Sequence, residues 1–84
     1  MSVEDKKLTR ELMRELNRRR NIDVSDVRCS VSRAVGYISG VIRAAPGEFL
    51  DPKAEAKSIL DGCRRIPGLR DVSIDARFEV GSKR

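Results

Sequence analysis

The chain has 84 residues with a formal net charge of +5, and it contains no histidine. This length is that of one small domain, so we expect residues 1–84 to form a single unit with an ordered core over about 3–80. No apolar run approaches the ~18 residues of a membrane-spanning helix. The lack of histidine removes the commonest general base and metal ligand, while the positive charge favours anionic partners.

The N-terminal segment has the periodicity of an amphipathic helix. Ser2 and Asp5 have the spacing of a capping box, which would start the helix. Leucines then recur at every fourth position, and this stripe predicts a helix that runs to about Arg19. The stripe consists of Leu8, Leu12 and Leu16.

Two alternating segments follow and predict a β-hairpin. The first covers about residues 26–32, with apolar side chains on one face and polar ones on the other. The second, about residues 34–43, is apolar on both faces, and its Gly36 and Gly40 are typical of a bulge or of close approach by another backbone. The apolar face of the first strand carries Val27, Cys29 and Val31.

A second helix and a last strand complete the chain. Asp51 as N-cap and Pro52 at the first helical position favour a helix start, and Pro67-Gly68 ends it. Residues 72–80 then alternate as a strand. The inward stripe predicted for the helix is Ala56, Ile59, Leu60 and Cys63, extended by Ile66.

This order, helix–strand–strand–helix–strand, predicts an α+β two-layer sandwich with two helices covering one face of a three-stranded sheet. The other face would be open to solvent. There the second strand presents Val35, Tyr37 and Val41, which we interpret as an interface for self-association or a partner, because tyrosine is enriched at interface centres. Ordinary surface exposure is the alternative.

Arginines near the ends of the two helices are the main chemical lead. If both ends lie at the same edge of the sheet, their guanidinium groups form one patch suited to bidentate capture of phosphate or carboxylate. Compensation of the helix dipoles, together with solubility, explains the same residues more simply. The set is Arg14, Arg18, Arg19, Arg20, Arg64 and Arg65.

Three segments resemble the BON domain, a family named for bacterial osmotically inducible and nodulation proteins. They are the alternating strand at 26–31, the Gly-Tyr-Ile-Ser-Gly strand at 35–41, and the Ile-Pro-Gly-Leu turn at 66–72. The resemblance extends over 8–80 and implies a module that binds phospholipid or cell-envelope ligands, with no catalytic residues. The chain departs from the family at Gly36, usually an inward valine, and in a longer 44–50 loop.

The same architecture is similar to ring-building domains of secretion systems and, more loosely, to RNA-binding KH domains. A KH domain clamps nucleic acid with a Gly-x-x-Gly loop. Here the nearest pair, Gly36 and Gly40, has three residues between and lies within a predicted strand. RNA binding is therefore the less favoured alternative.

Neither catalysis nor a metal or other cofactor is expected. The serines lack a base to activate them, and Asp51 and Glu55 are explained by capping and solvation. Cys29 and Cys63 fall on inward stripes, which predicts buried free thiols, or a disulfide in an oxidising compartment. The N-terminus lacks a secretory signal, so we expect a cytoplasmic location as written, or a periplasmic or envelope location if a signal segment was removed.

These observations favour a non-enzymatic module that binds an anionic phospholipid headgroup or cell-envelope ligand through the arginines. An acidic protein surface is a second candidate partner for the same charge. A protein-interaction or oligomerisation module that uses the open sheet face, and KH-like RNA binding, are the alternatives.

Overall fold

A computed structural model describes residues 3–81 and confirms the predicted α+β architecture. The capping box predicted at Ser2 lies outside the described residues. Helix α1 ends before the predicted Arg19, because the chain tightens into a turn in which the Arg19 N–H donates to the Leu16 carbonyl at 3.2 Å. The elements are α1 (Val3–Asn17), β1 (Ile22–Ser32), β2 (Val35–Ala44), α2 (Pro52–Cys63) and β3 (Asp71–Glu79).

Strand β2 is the centre of the three-stranded sheet. It pairs antiparallel with β1 and parallel with β3. Helix α2 is the crossover that the parallel pair requires, and it begins as predicted, with the Asp51 carboxylate accepting the N–H of Lys53 at 3.1 Å. The hairpin between β1 and β2 turns at Arg33 and Ala34, whose φ angles of 52° and 65° are those that two-residue hairpins need.

The core lies between α1, α2 and the covered face of the sheet. The predicted leucine stripe of α1 and the predicted alternation of β1 are both confirmed by burial. The inward side chains of β3 are only partly buried, because α1 packs chiefly on β1 and α2 meets β3 over a short length. The buried apolar residues are Leu8, Leu12, Leu16, Ile22, Val27, Val31, Ile38, Ile42, Leu50, Ile59 and Cys63.

Strand β1 begins four residues earlier than predicted, because its pairing with β2 continues on both sides of a bulge between Asp23 and Asp26. The Asp23 carboxylate accepts the Ser25 N–H at 2.9 Å, and this bond lowers the pKa of Asp23. Gly40 of β2 lies beside the bulge with a φ of 96°, where an added Cβ would collide with the Asp26 carbonyl. The close backbone approach predicted at Gly40 is confirmed.

Replacing Gly40 by alanine should lower the free energy of unfolding by about 3 kcal/mol or more, because backbone strain and a collision add together. Gly47→Ala is the matched control: its φ is 82°, but no atom lies within 4 Å of an added Cβ. We expect that control to lose only about 1–2 kcal/mol. Urea unfolding followed by circular dichroism measures both, and equal losses would contradict the close approach.

Candidate anion-binding groove

The two helices run in opposite directions along their contact. Positions later in α1 face positions earlier in α2, so the C-terminal ends of the helices point away from each other. The condition for a single patch at one edge of the sheet is therefore not met, and arginines from the two helices meet along the helix contact instead. The facing pairs are Leu8 with Gly68, Glu15 with Gly62, and Arg19 with Ser58.

A groove of about 510 Å³ follows this contact, between the end of α1 and the exposed side of α2. A neighbouring cavity of about 220 Å³ shares Arg18 and Arg65 and adds Arg14. Arg20 and Arg64 line neither cavity. Four cationic side chains and one carboxylate line the larger groove: Arg18, Arg19, Lys57 and Arg65, with Asp61.

Arg19 is a structural part of the groove wall. Its side chain is only 15% exposed, and its guanidinium donates to the hydroxyl and the carbonyl of Ser58, each at 2.8 Å. It also bonds the Glu15 carboxylate at 3.2 Å and lies 3.6 Å from the Glu55 carboxylate. Because two carboxylates compensate its charge, Arg19 shapes the groove and adds little to its positive potential.

Glu55 is the important residue that the sequence interpretation missed. Capping and solvation were expected for it, but it is buried, and it accepts a bond of 2.6 Å from the Asn21 amide as well as the Arg19 ion pair. Two signals were present in the sequence. Glu55 precedes Ile59 by one helical turn, which puts it on the buried face of the helix. Gly62 is a glycine in the interior of a helix, which is unfavourable there, and in the structure an added Cβ at this position would collide with the Glu15 carboxylate.

The remaining cations supply the charge of the groove. Arg18 is 62% exposed and bonds the Glu15 carboxylate at 3.0 Å, and this hydrogen bond raises the pKa of Arg18. Within residues 3–81, no ion pair involves Lys57, Arg65 or Arg14. These side chains are exposed, so they are available to an anion.

The other two arginines of the predicted set lie elsewhere. Arg64 is exposed and pairs with Asp61 at 3.6 Å, on the side of α2 that faces Leu69 and Arg70. Arg20 is exposed in the turn that leads into β1. The structure thus brings together Arg14, Arg18, Arg19 and Arg65.

The second predicted surface is the open sheet face. Tyr37 is 47% exposed and stands between Ser30 of β1 and Ser73 of β3, two small neighbours that leave its ring uncovered. Val35 and Val41 lie on the same face of β2 and are partly buried. Gly36 and Gly40, the pair compared with a KH loop, both lie inside β2 rather than in a loop.

Both cysteines are free thiols that face the core. Burial raises the pKa of each thiol to about 11, from an ordinary value of 9.0. A neutral buried thiol is a poor nucleophile and a poor metal ligand. In the described part of the chain, no three side chains of histidine, cysteine, aspartate or glutamate are grouped to hold a metal ion.

Comparison with known proteins leaves function to be inferred from this geometry. The chain matches no protein-family model. It likewise matches no curated protein. Neither of the helices between residues 3 and 81 is long and apolar enough to cross a membrane.

Arg19→Ala should lower the free energy of unfolding by about 3 kcal/mol, because it leaves the buried Glu55 carboxylate without its counter-charge. Arg18→Ala, one residue earlier, removes only an exposed ion pair and should change stability by less than about 0.5 kcal/mol. Urea unfolding at pH 7 measures both variants. Similar losses for the two would contradict the distinction between a buried and an exposed arginine.

Thiol reactivity tests the burial of the cysteines. Unreduced protein, once denatured, should titrate two thiols, since both cysteines are free. In the native Cys29→Ala variant at pH 8, Cys63 should react at least about tenfold more slowly than after denaturation, because its thiolate form is suppressed. A count of zero thiols in the denatured protein, or fast native labelling, would contradict this assignment.

Proposed function

We propose that this chain is a non-enzymatic binding module whose groove between α1 and α2 binds the phosphate of an anionic phospholipid headgroup. The observation that carries the proposal is the convergence of Arg18, Lys57 and Arg65 on one groove of about 510 Å³. Among the residues lining that groove, Asp61 is the one acid, and Arg64 already pairs with it. The groove therefore has an excess of positive charge in a concave site.

The chemistry of these side chains fits phosphate. A guanidinium group offers planar paired donors that match two phosphate oxygens, and an ammonium group adds a compact charge that can follow the headgroup. Arg14, in the adjoining cavity, extends the positive surface toward the other end of α1. A phosphate seated between the helices would thus meet donors from both walls.

The groove is suited to this task because its walls are held in place. The Arg19 bonds to Glu15 and Ser58 fix the end of α1 against α2 before any ligand arrives. A site that needs no rearrangement loses less conformational entropy on binding. The resemblance to the BON domain, whose members are associated with phospholipid and envelope ligands, also supports the proposal.

We also propose that the groove catalyses no reaction. The groove offers Ser58 as its hydroxyl side chain, and that hydroxyl accepts a bond from Arg19. Activation of a serine requires a neighbouring base, whereas the groove-lining side chains that surround Ser58 are chiefly cationic. The site is therefore built to hold an anion rather than to transform it.

An amide-shift NMR titration with anionic bicelles, against zwitterionic bicelles, tests this function. Shifts should concentrate at Arg18, Lys57 and Arg65, and they should require the anionic lipid. Arg18→Glu with Arg65→Glu should weaken binding at least about tenfold, because charge repulsion replaces two phosphate contacts.

The matched control is Arg20→Glu with Lys53→Glu. It makes the same change in net charge on exposed residues of the same two segments, but outside the groove. Binding should stay within about twofold of the wild type, apart from a uniform effect of net charge that salt screens. Equal losses in the two double variants, or no shifts with anionic lipid, would overturn the proposed site.

A further inference from the structure

The open face of the sheet carries opposite charges in a crossed arrangement. At the level of Ser39 in β2, the neighbours are Arg28 on β1 and Asp75 on β3. At the level of Val41 the order of charge is reversed, with an acid on β1 and an arginine on β3. The second pair of neighbours is Asp26 and Arg77.

Between these charged borders runs an apolar stripe. It lies along β2 and consists of Val35, Tyr37 and Val41, with the exposed Ser39 between Tyr37 and Val41 and small serines on both sides of the tyrosine ring. An apolar centre with a polar border, and an exposed tyrosine at the centre, is the usual composition of a protein–protein interface. The helices cover only the opposite face of the sheet.

We infer that the open face joins two copies of this chain, packed face to face about a two-fold axis that runs parallel to β2. This rotation lays β2 on β2 and sets β1 opposite β3 at the same level. Arg28 then faces Asp75 of the partner subunit, and neither group has an ion pair within its own chain among the described residues. Asp26 faces Arg77 of the partner subunit, and these two groups also pair within their own chain, with Arg43 and Glu79 respectively. Each attraction occurs twice, and Tyr37 stacks against Tyr37 of the partner subunit.

The orientation of the axis follows from the same register. An axis across the strands, placed between the levels of Ser39 and Val41, also pairs opposite charges, but it sets Tyr37 against the partner's Arg43 and leaves the apolar stripe unmatched. The parallel axis buries the stripe along its whole length. The parallel axis also sets Arg43 opposite Arg43 of the partner subunit, and this contact is tolerated because Asp26 and Glu79 already compensate the charge of Arg43.

The size of the face predicts a weak dimer. Three strands about 4.8 Å apart and nine residues of about 3.3 Å each give a footprint of roughly 14 × 30 Å. Two such faces cover about 840 Å² in total, which is below the about 1,200 Å² at which interfaces of standard size begin and is typical of weak, transient association. We therefore expect half-dissociation at about 10–100 µM.

Sedimentation velocity from 10 to 500 µM tests the dimer. The wild type should shift from monomer to dimer over this range, while Tyr37→Glu should remain monomeric. Tyr37→Ser, which matches the neighbouring serines of the face, is the milder variant and should weaken association at least tenfold. Circular dichroism verifies that each variant is folded, and Arg70→Glu, off this face, should dimerise like the wild type.

A mixing experiment tests the register. Arg28→Glu alone and Asp75→Arg alone should each associate at least tenfold more weakly, because like charges then meet twice in each homodimer. In an equimolar mixture both contacts become attractive, so association should return to within about threefold of the wild type. A wild type that is monomeric at 500 µM, or a mixture that fails to associate, would overturn the proposal.

Discussion

The Arg19 guanidinium, held between Glu15 and Glu55, is the interaction on which the helix layer depends. It bonds the carbonyl and hydroxyl of Ser58 as well, so it links the end of α1 to the middle of α2 at several points. A buried ion pair stabilises a fold only when its charges are compensated and its donors bonded. The Asn21 amide contributes by donating to Glu55, whereas the buried Arg19 Nε has no hydrogen-bond partner among the described residues.

This link also explains a glycine and a groove. Gly62 lies where the Glu15 carboxylate and the Arg19 guanidinium cross α2, and a Cβ there would displace these two groups from their positions. The helices approach closely at that point, and the exposed Arg18 and Arg65 on either side of the contact line one groove. The positive groove thus results from the helix contact that the Arg19 hydrogen bonds stabilise.

Most of the fold could be predicted from the sequence, because its signals are residue patterns that involve only near neighbours in the chain. The leucine stripe of α1, the Asp51-Pro52 start of α2 and the alternation of β1 each depend on neighbours within one turn or one strand. The bulge after Asp23 broke that period, so the early part of β1 escaped prediction. Position 40 was foreseen, because a glycine inside a strand often marks a bulge or the close approach of another backbone.

The site was harder to predict because it depends on contacts between distant residues. Arg18 and Arg19 are identical neighbours in a charged run, and only the partner of Arg19, 39 residues further along the chain, makes one of them structural. In the same way, Glu55 looks like any surface acid until Arg19 and Asn21 are placed against it. The direction of the helices relative to each other, which decides which arginines meet, is a property of the fold as a whole.

The two proposed surfaces lie on opposite layers of the molecule, and this limits how they can act together. If both proposals hold, a face-to-face dimer has its sheets inside and its helix layers outside, with one groove on each outer side. A flat membrane then reaches one groove of each dimer, so dimerisation adds no avidity on a single bilayer. The affinity for a headgroup must come from the cations of one groove, and the dimer would instead be arranged to engage anions on two opposing surfaces.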